Sequence, residues 1–444
     1  MTIPIRTPSF FLPRWLPWCH ASLLVLTLSF WSAVLLGQAS LFSYVFPRDF
    51  SSVYVGAQIV AEGRGSQLYD LEVQRGRMDA DILPYHRTLL LPYVYPGYVA
   101  VLLSPLANLS LTKAFLLWAV LNLIVTIWIA KRLIWARFAP HLRFALLVAF
   151  LTWIPLQLTL SHSQMGLLCA LGFTEAVTLL QARKYWQSGC WLALGLLKPQ
   201  IMILPLASLA LWRCWRTLAW FAGVTLIILG LSFAKIGFWI TAYLRFLAAF
   251  NLGGAHLSVY PTAMQNWRGL VAVLLGSDTR VAAQWLWALL TIASIGLAIF
   301  VSYPRQRADS GSRPALPPAW QARFAVAICV GILASPYLYG HDWVIALPAL
   351  FLLFSEVDHL FSIGERRKRT PTILAWLIAI APFVSFAAQF RVWPLSTHIQ
   401  LLPAYMGVLT VVATVVLQTA DANAVKNFTT EITKIKHPGW ESAE

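Results

Sequence analysis

Five short polar islands interrupt an otherwise apolar chain, and each carries groups able to bind a charged substrate or move a proton. The first is Pro47-Arg48-Asp49-Phe50. Behind it Phe50, Val53, Tyr54, Ala57, Val60 and Ala61 recur at helical spacing and Gly63 ends the pattern. Asp49 therefore stands at the N-terminus of a predicted amphipathic helix lying in a membrane interface. There it either caps the helix and meets its dipole, or serves as a surface carboxylate and general base. The second island, Ser161-His162-Ser163-Gln164-Met165-Gly166, is either a plain helix hairpin or a set of hydrogen-bonding groups for a sugar or head group. The third is Leu197-Lys198-Pro199-Gln200, where two apolar runs too short to span a bilayer meet. Lys198 either snorkels to the interface or holds an anionic partner, since a cation in an apolar stretch is costly.

The last two islands are Gln265-Asn266-Trp267-Arg268-Gly269 and Ser335-Pro336-Tyr337-Leu338-Tyr339-Gly340-His341-Asp342-Trp343. Asn266 and Arg268 can face a ligand, while Trp267 reads as an interface anchor. His341 beside Asp342 suits an orienting pair or a phosphate contact, against the plainer reading of a solvated histidine. One carboxylate, several amides and one or two cations together suit a phosphate-activated sugar. The cations would offset charge on a phosphate leaving group, and the carboxylate would take a proton from an acceptor hydroxyl. No cofactor is expected: there is no P-loop and no GxGxxG, so the chain itself is not expected to hydrolyse ATP, and the cysteines offer no zinc site. The cysteines Cys19, Cys169, Cys190, Cys214 and Cys329 lack CxxC spacing and read as small buried hydrophobes.

The elements that must position these groups are membrane helices. Of 444 residues 59% are hydrophobic, 14% aromatic and only 11% charged, with a mean hydropathy of +0.68. That leaves too little charge to cover soluble domains, which excludes a soluble enzyme, a disordered chain and a nucleic-acid-binding domain. The net charge of +16 is then a topology signal, the cytoplasmic bias of Lys and Arg. A first run from about Ala21 to Leu36 continues through Phe46 with no small-residue cleavage site, so it reads as a retained span. Basic clusters follow at Lys131-Arg132-Arg137-Arg143, Arg183-Lys184, Arg213-Arg216, Arg305-Arg307-Arg313 and Arg366-Arg367-Lys368-Arg369. All fall on one side only if the run at 96–110 enters and returns. Its helix of about 14 residues rises roughly 21 Å, short of a core of about 30 Å. The piece at 267–276 reads as re-entrant for the same reason.

The expected fold class is thus all-α, a polytopic integral membrane protein with about twelve transmembrane helices and both termini cytoplasmic. Residues 1–420 form one transmembrane domain, with an outer loop and interfacial helix at about 46–95 and a second outer loop at about 235–266. Residues 421–444 form a cytoplasmic tail. Glu175 sits deep in an apolar run and is expected to pair with another polar side chain. Asp49, Gln164, Lys198, Asn266 and His341 all map to one outer, extracytoplasmic face of the inner (plasma) membrane.

The islands also carry a family resemblance. Asp49-Phe50 with Tyr54 and Ala57, then Gly65 to Tyr69-Asp70, Tyr93-Val94-Tyr95-Pro96-Gly97 and Leu103-Ser104-Pro105-Leu106 come first. Ser163-Gln164-Met165-Gly166, Gly195-Leu196-Leu197-Lys198-Pro199, Asn266-Trp267-Arg268-Gly269 and Ser335-Pro336-Tyr337 to Asp342 follow in order. Across about residues 45 to 345 this series resembles glycosyltransferase family 87, the bacterial polyprenol-phosphate-mannose-dependent mannosyltransferase-like proteins of GT-C architecture. The family's usual Tyr-Pro-Pro reads Tyr95-Pro96-Gly97 here, and its usual Gly-Gln reads Ser163-Gln164.

The resemblance implies a metal-independent, inverting transfer of a hexose, mannose by expectation. The donor is a polyprenyl-phosphate sugar entering from the bilayer, and the acceptor a hydroxyl of a cell-envelope glycolipid or glycan. It implies Asp49 as the base, the donor phosphate at Lys198 and His341, and sugar or acceptor contacts from Tyr54, Tyr95, Gln164, Asn266, Arg268 and Asp342. Two other readings predict different things. A secondary transporter or lipid flippase needs internal symmetry and polar residues at mid-membrane, whereas these cluster at one face. Other enzymes of the same architecture, transferring aminoarabinose, arabinofuranose or mannose to protein, share the early acidic residue. A purely structural membrane protein has no need of Lys198.

Overall fold

The computed structural model describes residues 15–36, 49–82, 91–252, 259–276, 279–303, 316–362, 369–390 and 401–436. Pro47-Arg48, the basic clusters Arg305-Arg307-Arg313 and Arg366-Arg367-Lys368, and residues 437–444 of the expected tail lie outside the described residues. Within them every regular element is helical, as the fold class expected. Five helices are long and apolar enough to cross a membrane: Leu111–Trp135, Trp215–Ile236, Val281–Ser302, Gly340–Val357 and Leu401–Gln418. A sixth is made if Pro140–Leu151 and Ile154–His162, bent by 56° at their junction, count as one span. The other apolar helices are shorter, 10 to 17 residues among the described ones, and include Phe50–Ala61, Gly97–Asn108, Gly166–Gln181, Pro199–Leu211 and Trp320–Ala334. Polar islands border four of these five, and Gly97–Asn108 instead follows Tyr95-Pro96.

A central helix, Trp320–Ala334, is buried over Ala322 to Leu333 and packs against Val281–Ser302, Pro199–Leu211, Leu347–Ser362 and Leu401–Lys436. Two outer helices, Trp215–Ile236 and Val281–Ser302, turn apolar side chains outward. Leu226, Ile227, Trp285, Leu289 and Ile292 are each more than 60% exposed. Such a continuous apolar exterior has hydrocarbon as its natural solvent, and the molecule is a helical membrane protein. The 96–110 run forms a short helix, Gly97–Leu103, and a tight turn at Ser104–Asn108.

Two expectations are corrected. The Phe50–Ala61 helix does form and ends before Gly63 at φ +75°, but it does not lie with one face open to an interface. Phe50 to Ala57, Ile59 and Val60 are all buried. The helix Gly97–Leu103, the turn after it and the helix Leu71–Ile82 pack over it, and hydrophobic periodicity cannot show such a cover. Trp267 is not an interface anchor either. It is buried, with its indole Nε1 donating to Ser294 Oγ at 2.9 Å. Glu175 does find a polar partner, Arg132, with Nε donating to Oε1 at 2.6 Å.

Candidate active site

Asp49 precedes the first turn of Phe50–Ala61 with φ −89° and ψ −28°, and its side chain makes no capping bond. Its Oδ2 accepts instead from Gln164 Nε2 at 2.5 Å. The carboxylate is therefore turned away from its own helix and towards the second polar island.

Gln164 is aimed by the end of the helix Ile154–His162. Ser163 takes the left-handed conformation, φ 52° and ψ 45°. Ser163 N donates to Leu160 O and Gln164 N to Thr159 O, the pairing that closes a helix on a left-handed residue. Glycine is the usual choice there because it carries no Cβ, so the Gly-Gln of the resembled family matches this geometry and Ser163 adopts it at a cost. Trp118 Nε1 donates to Ser163 O at 2.9 Å and holds the turn down. Tyr95 OH donates to Gln164 Oε1 at 3.1 Å. With its oxygen accepting from Tyr95 and its nitrogen donating to Asp49, the amide has one orientation open to it. Burial pushes the Tyr95 hydroxyl up to about 12, against the pull of Lys198, so it stays protonated and remains a donor.

Lys198 sits at the break between the short turn Ala193–Leu197 and the helix Pro199–Leu211, with φ −138° and ψ 72°. Proline at the next position disfavours the helical region there, which explains the break. Its Nζ pairs with Asp342 Oδ1 at 2.8 Å and lies 5.5 Å from the centre of the Tyr95 ring. The anionic partner expected for Lys198 is thus Asp342, whose carboxylate also accepts from Tyr339 N at 3.2 Å. His341 Nε2 lies 3.4 Å from Asp342 Oδ1. Asp342 is 2% exposed, against 12% for Lys198 and 15% for His341. The acid is walled in, while the cation and the imidazole keep a small exposed surface.

His341 closes the circuit. Ligand atoms of Asp49, His162 and His341 all lie within 4.8 Å of one another. Asp49, Gln164, Tyr95, Lys198, Asp342 and His341 form a ring of polar groups brought from separate segments. Thr159 Oγ1 donating to His341 O at 2.8 Å fastens the last segment to the helix that bears Gln164. His162 is the residue the sequence analysis passed over. It lies inside a named island, but no spacing links it to the distant His341 or to Asp49.

Three other expected site residues lie outside this ring, each engaged with neighbouring protein groups. Tyr54 OH donates to Leu109 O at 2.7 Å, tying the buried helix to the end of the turn Ser104–Asn108. Asn266 is fully buried and caps the helix Trp267–Leu275: Gly269 N donates to its Oδ1 at 2.9 Å, and its Nδ2 donates to Ser335 O at 2.7 Å. Arg268 is largely buried, its guanidinium 5.8 Å from the centre of the Trp287 ring and Nη1 reaching Pro336 O at 3.4 Å. The ring itself offers a carboxylate with one oxygen held, beside a cation with donors to spare.

Comparison with known proteins points the same way. The model of glycosyltransferase family 87 matches residues 93–336, more than half of the chain. A polyprenol-phosphate-mannose-dependent alpha-(1-2)-phosphatidylinositol pentamannoside mannosyltransferase of Mycolicibacterium smegmatis is 26% identical over 380 residues, covering 82% of each chain. The protein of that name from Mycobacterium tuberculosis is 27% identical over 341 residues, covering 73% of this chain and 72% of its own. No solved structure matches the chain significantly.

Proposed function

Because the chain belongs to glycosyltransferase family 87, we propose that it moves mannose, with inversion, from a polyprenyl-phosphate donor to a hydroxyl of a cell-envelope glycolipid or glycan. That the enzyme is a polyprenol-phosphate-sugar-dependent glycosyltransferase of the membrane follows from the family and the relatives. The sugar and a glycolipid acceptor are carried over from what the relatives' names state.

The observation that carries the mechanism is that Asp49 caps nothing. Its carboxylate is held by Gln164 at 2.5 Å, one edge of a ring that also contains Lys198. In this reading the donor phosphate meets Lys198 and His341 on the inner-membrane face away from the cytoplasm. An ammonium has three donors, and with one on Asp342 the others remain for phosphate oxygens. Asp49 takes the proton of the acceptor hydroxyl, and that oxygen attacks the anomeric carbon opposite the phosphate. The bond from carbon to phosphate oxygen breaks, polyprenyl phosphate leaves with the electron pair, and the configuration inverts. Tyr95 acts through Gln164 as a positioning residue, and Asp342 acts through Lys198. Asp342 is therefore assigned to the cation rather than to the sugar.

The test is transfer in proteoliposomes, with polyprenyl-phosphate-mannose and a panel of envelope glycolipids, read by mass spectrometry. Asp49→Asn should lower turnover by at least about a thousandfold, the upper range for a general base, with the protein still monodisperse. Near-normal turnover in Asp49→Asn would remove Asp49 as the base. Flux of a lipid or sugar with no transfer by the wild type would favour the transporter.

A further inference from the structure

Two groups with roles in the proposed transfer, Asp49 and His341, stand together with His162, and the three make a set of donors that the transfer itself does not call for. Asp49, His162 and His341 offer one carboxylate oxygen and two imidazole nitrogens, all within 4.8 Å of one another and all only partly buried. Ligands about 2.0–2.2 Å from a tetrahedral zinc stand about 3.4 Å apart, so modest side-chain rotation brings the three onto one ion.

Each of the three also has the outer partner that metal ligands need. His162 Nδ1 faces Leu158 O at 2.8 Å. A proton on that nitrogen leaves the other as a lone pair. Asp49 Oδ2 is held by Gln164 Nε2 at 2.5 Å, which leaves Oδ1. His341 stands 3.4 Å from Asp342 through Nε2, and its backbone is tied to Thr159. Two imidazoles and one carboxylate suit a borderline ion such as Zn²⁺ or Co²⁺ and discriminate against the hard Mg²⁺ and Ca²⁺.

We propose that Asp49, His162 and His341 bind a divalent transition-metal ion of the zinc type, and that its occupancy switches transfer off. The inhibitory half rests on Asp49 being the base. With Oδ2 on Gln164, the remaining oxygen holds either a metal or the acceptor's proton, never both. This agrees with the metal-independent transfer that the family resemblance implies: the metal-free enzyme works and the loaded one does not. His162 is then the residue that makes the site a metal site.

The probe is Co²⁺, added to full-length protein purified through a tag without histidine, stripped with a chelator and held in detergent. One equivalent should give the visible absorption of low-coordinate cobalt, displaced by Zn²⁺. His162→Gln should weaken binding at least about tenfold, since losing even an outer-shell partner of a ligand costs that much. His141→Gln, at an exposed position, should leave binding unchanged. In the transfer assay Zn²⁺ should silence the wild type in step with occupancy. The half-inhibiting concentration for His162→Gln, normalised to its own rate in chelator, should rise by the same factor as its dissociation constant. Unaltered Co²⁺ affinity in a monodisperse His162→Gln, no one-to-one binding in the wild type, or stimulation by Zn²⁺ would each overturn the proposal. If His162→Gln does not stay monodisperse, parallel zinc occupancy and inhibition in the wild type decide alone. The cobalt spectrum needs no substrate, so failure of the wild type to transfer any polyprenyl-phosphate sugar would remove the proposed function and leave the metal site to the spectrum.

Discussion

Two of the ion pairs among the described residues, Arg132–Glu175 and Lys198–Asp342, are alike in length and unlike in everything around them. Arg132 and Glu175 meet at 2.6 Å, and Lys198 and Asp342 at 2.8 Å. Glu175 is saturated: Arg132 Nε and Nη2 take its two oxygens, and Trp128 Nε1 adds a third bond at 2.7 Å. A guanidinium clamped on both carboxylate oxygens fixes the geometry of the pair and leaves the acid little to offer. A turn of wider helix at Lys131–Trp135 carries Arg132 to that position. Lys198 is the opposite case. Its partner is enclosed, but the ammonium lies beside Tyr95 with hydrogen-bonding capacity to spare. About 14 Å of helix rise separates Glu175 from Gly166, at the site end of the same helix. The closed pair fixes a helix contact, and the open one is placed where an anion can arrive.

Removing both charges of each pair breaks the comparison most directly, because a neutral replacement of a whole buried pair leaves no orphaned charge and is often nearly neutral for stability. Lys198→Met with Asp342→Asn should lower kcat/KM for the polyprenyl-phosphate sugar by about 10²–10³-fold, the cost of losing a group that stabilises developing charge. Unfolding in a denaturing-detergent titration should change by only about 1 kcal/mol. Arg132→Met with Glu175→Gln should leave kcat/KM within about threefold, because nothing at the site touches that pair. Equal losses in the two double variants would show that Lys198 acts only as frame.

Breaking the closed pair from one side is the next test. Arg132→Ala leaves Glu175 buried with only Trp128, and should cost about 3 kcal/mol of stability, the low end for an uncompensated buried charge because Arg132 is partly exposed. Transfer by the folded fraction, counted by size exclusion, should hold. These two pairs also show what the sequence made legible. A charged residue inside an apolar run cannot go unpartnered, so Lys198 and Glu175 each announced a partner before it was known. Asp49, Gln164 and His341 were singled out on other grounds, as members of polar islands, and the fold brings them together. Amides, hydroxyls and indoles announce far less. Asn266, Tyr54 and Trp267 satisfy themselves on backbone or side-chain neighbours of the frame, and residue type alone does not distinguish a neighbour from a ligand. Nor does periodicity reveal that the Phe50–Ala61 helix is roofed by Gly97–Leu103 and the turn after it, since an apolar protein segment and a bilayer make the same kind of cover. The charge map assigns sides and says nothing of helix length, and so the twelve expected crossings meet only five helices, or six with the bent pair, of full length among the described residues.

Asn266 gives the smallest expected effect and the finest distinction between frame and site. Both ends of its amide are engaged, Oδ1 by Gly269 N and Nδ2 by Ser335 O, and a methyl on Gly269 would overlap the Met264 carbonyl, so the turn is packed as well as bonded. Loss of such a cap costs about 1 kcal/mol. Asn266→Ala should therefore lower stability by about that amount and leave KM for donor and acceptor unchanged. Asn266→Asp, which keeps the accepting oxygen, should recover part of the loss. A several-fold rise in either KM with stability intact would instead return Asn266 to the substrate, and would mean that the turn at Ser335 opens when the donor binds.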